Sequence, residues 1–186
     1  MLKTVADFTN RPPSELSELV RRWSEAGMPL DRPAGEQDLA AALEYLVRWA
    51  QVVDAATELE RIALLNTMLA EYTAHPRLTM HPGSDGWHLH YRDDGLGLGK
   101  ILGAAVTVAT AEHLAQRGLN RVGRCASPDC GNAYVDFTRG GRQRYCAHPC
   151  ANRDAVRRHR ARHAPAGSEG SAGSQGSAGQ GGGSAR

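Results

Sequence analysis

Apolar residues recur at helical spacing in four stretches of the first 117 residues, and downstream of them that pattern fades. After Pro12-Pro13-Ser14-Glu15 a helix is expected through Val20 and Trp23, ending near Gly27, with Pro29 and Pro33 breaking the pattern beyond it. Leu39, Leu43, Leu46, Val47 and Ala50 make the next stripe, with Asp38 and Glu44 expected to face outward. A third stripe runs Leu59, Ile62, Ala63, Leu65 and Leu69 and stops before Pro76. The period then changes to two. Leu78-Thr79-Met80-His81 and Trp87-His88-Leu89-His90-Tyr91 flank the turn Pro82-Gly83-Ser84-Asp85-Gly86 and predict a small hairpin. Alternation puts Trp87, Leu89 and Tyr91 on one face and His88 and His90 on the other. The last stripe, Ile101, Leu102, Ala105, Val108, Ala109 and Leu114, predicts a helix from Leu98 to Arg117, stopped by Gly118-Leu119-Asn120.

This patterning divides the chain in three. Residues 1–120 form the expected helical domain, residues 121–163 a compact module, and residues 164–186 a Gly/Ser-rich tail that cannot bury apolar surface and is expected to be disordered. The fold class is α+β, mostly α. No apolar run approaches the roughly 20 residues of a membrane span. The N-terminal residues lack the apolar core of a secretory signal, so a cytoplasmic protein without a membrane partner is expected.

Charge sharpens the division. The chain carries a net +2, but residues 1–120 balance at −5 and residues 121–163 at +7, all of the latter positive charge being Arg. Phosphate attraction acts locally, so the balance of the module matters more than that of the chain.

The same module holds all four cysteines, as the pairs Cys125/Cys130 and Cys146/Cys150. Thiolates a few residues apart, in two pairs joined by a loop of roughly 15 residues, can converge on one tetrahedral zinc ion. Two disulfides are the alternative, disfavoured by a reducing compartment. His148 could stand in for one cysteine, but each pair is complete without it. Four thiolates fill a tetrahedral shell, which argues for a structural ion and against an enzyme. Ala133–Thr138 and Gln143-Arg144-Tyr145 are expected to pair across Gly140-Gly141, with Tyr134, Phe137, Tyr145 and Val156 as a miniature core. A helix is expected from the second pair onward. Arg153, Arg157 and Arg160 share one face of it, Arg158 and Arg162 a neighbouring one. Arg139, Arg142 and Arg144 add charge from the hairpin, and Asn152 can read a base or cap the backbone. Together these residues predict a nucleic-acid contact.

At the second pair the sequence resembles a known family. Arg139-Gly140-Gly141-Arg142-Gln143-Arg144-Tyr145-Cys146-Ala147-His148-Pro149-Cys150-Ala151-Asn152-Arg153 is similar to the CGNR zinc finger, with Ala151 where that motif has Gly. Cys125-Ala126-Ser127-Pro128-Asp129-Cys130 resembles its first pair. Asp7-Phe8-Thr9-Asn10 and Leu65-Asn66-Thr67-Met68-Leu69 resemble segments of the ABATE domain that usually precedes this finger. The resemblance implies a bacterial, stress-induced transcription regulator whose finger contacts DNA and whose first domain senses a small-molecule effector or assembles a homodimer.

Three readings of the module therefore stand: a duplex DNA-binding regulator, an RNA-binding protein, and a zinc-dependent adaptor for an acidic protein. His81, His88 and His90 form a further imidazole cluster, for which the polar face of a small sheet is the simpler account.

Overall fold

A computed structural model describes residues 1–28, 30, 32–80 and 86–163. His81, most of the predicted hairpin turn, and the tail from residue 164 lie outside the described residues. The elements in chain order are α1 (Leu2–Asn10), α2 (Leu16–Glu25), α3 (Glu36–Asp54), α4 (Glu58–Tyr72), β1 (Arg77–Thr79), β2 (His88–His90), α5 (Leu98–Arg117), β3 (Val122–Arg124), β4 (Ala133–Val135) and α6 (His148–His163). The fold is mostly α, with two antiparallel hairpins, β1–β2 and β3–β4.

Helices α3 and α5 lie against each other at the centre. Their approach is so close that a Cβ on Gly99 would sit 2.6 Å from the Ala41 Cβ, which only glycine avoids. The aromatic core of α3 also needs polar partners, and α5 supplies them as threonines. Tyr45 Oη shares a 3.0 Å hydrogen bond with Thr107 Oγ1, and Trp49 Nε1 donates to Thr110 Oγ1 at 3.1 Å. Both tryptophan and tyrosine are then buried without an orphaned polar atom. Helix α1, for which the apolar pattern predicts no element, presents Leu2, Val5, Ala6 and Phe8 to the same core.

The buried stripes differ from those expected. On α3 the inward face is Asp38, Ala42, Tyr45, Leu46, Trp49, Val52 and Val53, about one residue out of phase with the predicted one, and Val47 is 63 % exposed. Asp38 is buried, not outward. Its carboxylate accepts the Gly35 amide at 2.9 Å and the Gly99 amide at 3.2 Å, so it caps α3 and pins the start of α5. On α4, Leu59 is 79 % exposed, and Arg61 lies inward beside Leu65 and Met68. A charge placed inward escapes periodicity analysis because it is tolerated only where particular acceptors await it.

The β1–β2 hairpin pairs Arg77 with His90, Leu78 with Leu89 and Thr79 with His88. Alternation holds, but the apolar face of Leu78, Met80, Trp87 and Leu89 is the exposed one. The histidine face turns inward over a cavity of about 510 Å³. Its floor is the α5 stripe Ile101, Ala104, Ala105, Val108 and Ala109, with Trp23 and Met1 on its walls. A carbonyl only accepts, so His88 donates from Nδ1 to the Gly86 oxygen at 3.1 Å. On its other edge, His88 Nε2 shares a 3.0 Å hydrogen bond with His90 Nε2.

The second hairpin is not the expected one. β4 pairs with β3, registering Val122 with Val135, Gly123 with Tyr134 and Arg124 with Ala133. Gln143-Arg144-Tyr145 forms no strand. The reason lies in burial: Val122, Ala133 and Val135 join the core of the helices. The expected miniature core is correspondingly absent, with Phe137 and Val156 exposed and Tyr134 and Tyr145 half-buried.

Polar clamps fasten β3–β4 to the helices. The Asn10 side chain accepts the Ala133 amide at 2.6 Å and donates to the Ala133 carbonyl at 2.9 Å, as a neighbouring strand would. Arg124 grips Asp54 through two hydrogen bonds of 2.7 and 2.8 Å. The module is thus packed against the helical core at its base.

Candidate metal centre and basic helix

Two short loops and the first turn of α6 bring the four cysteines together. In the first loop the Cys125 amide donates to the Asn132 carbonyl at 2.8 Å, and the Cys130 amide to the Ser127 carbonyl at 2.9 Å. In the second, the Cys150 amide donates to the Ala147 carbonyl at 3.1 Å as α6 begins. One bond joins the two: the Ala126 amide donates to the Arg144 carbonyl at 2.7 Å. These turns aim the thiols inward, where Cys125 and Cys150 are buried and Cys130 and Cys146 half-buried.

All four sulfurs lie within 4.8 Å of one another. Cys146 Sγ is 3.7 Å from both Cys130 Sγ and Cys150 Sγ. Tetrahedral zinc with bonds of about 2.3 Å requires sulfurs about 3.8 Å apart, so the donor set has the size of that ion's shell. A disulfide would bring two sulfurs to about 2.05 Å, and all four cysteines are free. Burial, helped by donation to neighbouring sulfurs, pushes the Cys146 thiol up to about 12. Crowded thiols resist ionising together, and a divalent cation among them reverses that balance. Among the described residues this is the group of three or more metal-ligating side chains that converge; His88 and His90 do not gather a third.

Asp136 sets the loop that leads into the second pair. It is 1 % exposed and accepts from the Thr138 amide at 2.7 Å, the Thr138 hydroxyl at 2.6 Å and the Gln143 amide at 3.1 Å. Those bonds to its charged form, with Arg121 beside it at 3.6 Å, hold its carboxyl below the usual range against the cost of burial. His113 on α5 is hydrogen-bonded to the Asp136 carbonyl at 3.0 Å, anchoring the loop to the core. Neither residue stands out in the sequence, although Asp-Phe-Thr has the form of a local Asx turn.

The arginines predicted to contact nucleic acid fall into three groups. Arg157 and Arg158 pair with Asp154 on the same helix, Arg158 at 2.7 Å, and Asp154 accepts the Tyr145 hydroxyl at 2.5 Å. Those contacts hold the Asp154 carboxyl below its ordinary range. The spacing of three and four residues was visible in the sequence as a helical ion-pair signal. Arg153 turns back toward the metal centre, its guanidinium 3.1 Å from Cys150 Sγ. Arg139, Arg142, Arg144, Arg160 and Arg162 have no acidic partner among the described residues. Arg142 and Arg144 border a concavity of about 570 Å³ that also takes in His148 and Ala151 at the start of α6. Asn152 is exposed.

A tight four-sulfur site between two turns, opening into a basic helix, defines a structural zinc finger holding one ion. Compared with known families, residues 121–163 match the CGNR zinc finger, as the cysteine spacing and the Cys-Ala-Asn-Arg turn led one to expect. No curated protein matches the chain. No described helix is long and apolar enough to cross a membrane.

Proposed function

We propose that this chain is a cytoplasmic, duplex DNA-binding transcription regulator rather than an enzyme. One observation carries the reading: five arginines have no acidic partner among the described residues, Arg160 and Arg162 on the helix that starts at the four-sulfur site and Arg142 and Arg144 beside its first turn. Four thiolates leave the ion no open position for a substrate, which supports a binding role over a catalytic one. Arg139, Arg142, Arg144, Arg160 and Arg162 supply the main phosphate contacts. Arg157 and Arg158 contribute less, because Asp154 already offsets them. A single finger spans few base pairs, so the proposal includes a homodimer, to be read by sedimentation of the full chain.

Five phosphate contacts should give a slope of log K against log salt of about −4 to −5. Replacing Arg160 and Arg162 by alanine should lower its magnitude by about 2. A flat salt dependence in the unchanged protein would refute the reading. Preference for structured RNA in direct competition would replace it with RNA binding, whose A-form grooves present a different surface. Loss of both nucleic acids with capture of an acidic protein would favour an adaptor.

The proposal extends to the first domain as the sensor of a small-molecule effector, and the cavity beneath β2 supports that part. It suits a small, largely apolar effector. Helix α1 links it to the finger, with Met1 on the cavity wall and Asn10 on Ala133 of β4. The dye 1-anilinonaphthalene-8-sulfonate should bind saturably to the full chain, and Ala105→Trp should abolish that binding while sparing DNA affinity. Equal dye binding by both proteins would exclude this cavity.

A further inference from the structure

We infer that Arg153 serves the metal centre as the hydrogen-bond donor and counter-charge of the Cys150 thiolate, and is not a nucleic-acid contact. The geometry is direct. Arg153 stands one helical turn after Cys150, and its terminal nitrogen is 3.1 Å from the Cys150 sulfur. The i, i+3 spacing puts both on one face of α6. Cys150 is itself buried, so its thiolate has little water to solvate it and depends on protein donors.

The charge balance gives the contact its purpose. A divalent zinc with four thiolates carries a formal −2, placed at the root of the helix proposed to approach a polyanion. One guanidinium against the sulfur halves that charge where it matters most. A thiolate whose lone pair is taken up by a hydrogen bond is also less readily alkylated. Groups that hydrogen-bond to metal ligands typically affect metal affinity 10- to 100-fold. Lysine is a poor substitute, because a compact, strongly hydrated ammonium lacks the planar fork of the guanidinium. Asp154 is the next residue and faces Tyr145, Arg157 and Arg158 instead, so the two adjacent side chains divide the labour: one satisfies sulfur, the other the helix arginines.

The test uses the full chain and two independent readouts. In competition with the chromogenic chelator 4-(2-pyridylazo)resorcinol, Arg153→Met should weaken zinc affinity 10- to 100-fold and speed alkylation by N-ethylmaleimide. Arg153→Lys should fall between it and the unchanged protein, and Arg160→Met should behave as unchanged. With zinc saturating, Arg153→Met should leave the salt slope of DNA binding intact, whereas Arg160→Met should lower it by about 0.9. Undiminished zinc affinity in Arg153→Met overturns the inference, whether the salt slope falls by about one, which marks a phosphate contact, or stays put, which marks a bystander. If Arg153→Met does not fold, Arg153→Lys decides by the same criterion. The zinc readout requires no nucleic acid, so failure of the DNA reading would not be mistaken for failure of this one.

Discussion

Removing the metal, by a strong chelator or by Cys150→Ser, is expected to melt α6 and leave the helical core standing. The two parts of the module are held by different forces. β3 and β4 contribute Val122, Ala133 and Val135 to the core of the helices, and Asn10 and Asp54 clamp them there. Helix α6 buries only Cys150 and Asp154. An isolated helix of its length is marginal in water, and this one is crowded with like charge. Its order therefore rests on the ion and on the bond from Tyr145 to Asp154. Zinc commonly supplies on the order of 10 kcal/mol to such sites, far more than those residual contacts. Far-UV circular dichroism should lose the share of one 16-residue helix. Amide exchange should become fast across α6 while the Val122 and Val135 amides stay protected. On the proposed reading, nucleic-acid affinity should fall steeply, since Arg160 and Arg162 lose their fixed place with the helix. Persistence of protected α6 amides in chelator would contradict the account.

The second large effect concerns Arg61. It is only 6 % exposed, yet carries a full charge. Its guanidinium donates to the carbonyls of Val52 at 2.9 Å, Val53 at 3.4 Å and Ala55 at 3.1 Å, and to Leu119 at 2.6 Å. The first three are oxygens at the end of α3, left without helical partners. The fourth lies in the connection from α5 to β3. One side chain thus caps a helix and ties it to the entry of the finger. Burial pulls the Arg61 pKa below the ordinary arginine range, but the group stays charged. Arg61→Met keeps much of the volume and strands those acceptors, which should cost about 2–4 kcal/mol. For a chain of this size that is roughly 5–15 °C in Tm. Arg61→Lys should rescue little, because one ammonium cannot reach four carbonyls spread over two segments. A loss below about 0.5 kcal/mol in urea unfolding of Arg61→Met would show that water satisfies those carbonyls.

Some residues announced their place because their signal is local. Four thiols in two pairs declare a tetrahedral site through spacing alone, and the helix Leu98–Arg117 declared itself through a long apolar stripe closed by Gly118. The arginines declared a charged helix, but only part of its neutralisation. Asp154 sits within one turn of Arg157 and Arg158, a relation legible beforehand, whereas its bond to Tyr145 needed the loop to fold back. Where partners were distant the pattern misled. The Val47 and Leu59 positions read as core because leucine and valine usually are, yet the helices rotate to bury Tyr45, Trp49 and Arg61 instead. What turned them was the set of partners waiting on other elements: Thr107, Thr110 and the end of α3.

From the amino acids alone came the metal, its four ligands, the helical class and the concentration of positive charge, because each depends on neighbours within a few positions. Only the folded molecule decided which strand pairs with β4, where Asp38, Arg61 and Arg153 send their charges, and how firmly the finger is seated. Most of those outcomes depend on residues far apart in the chain, such as Arg124 with Asp54, 70 positions away, and Asn10 with Ala133, 123 positions away. A buried polar group is placed by the partner that satisfies it, and that partner has no fixed offset along the chain.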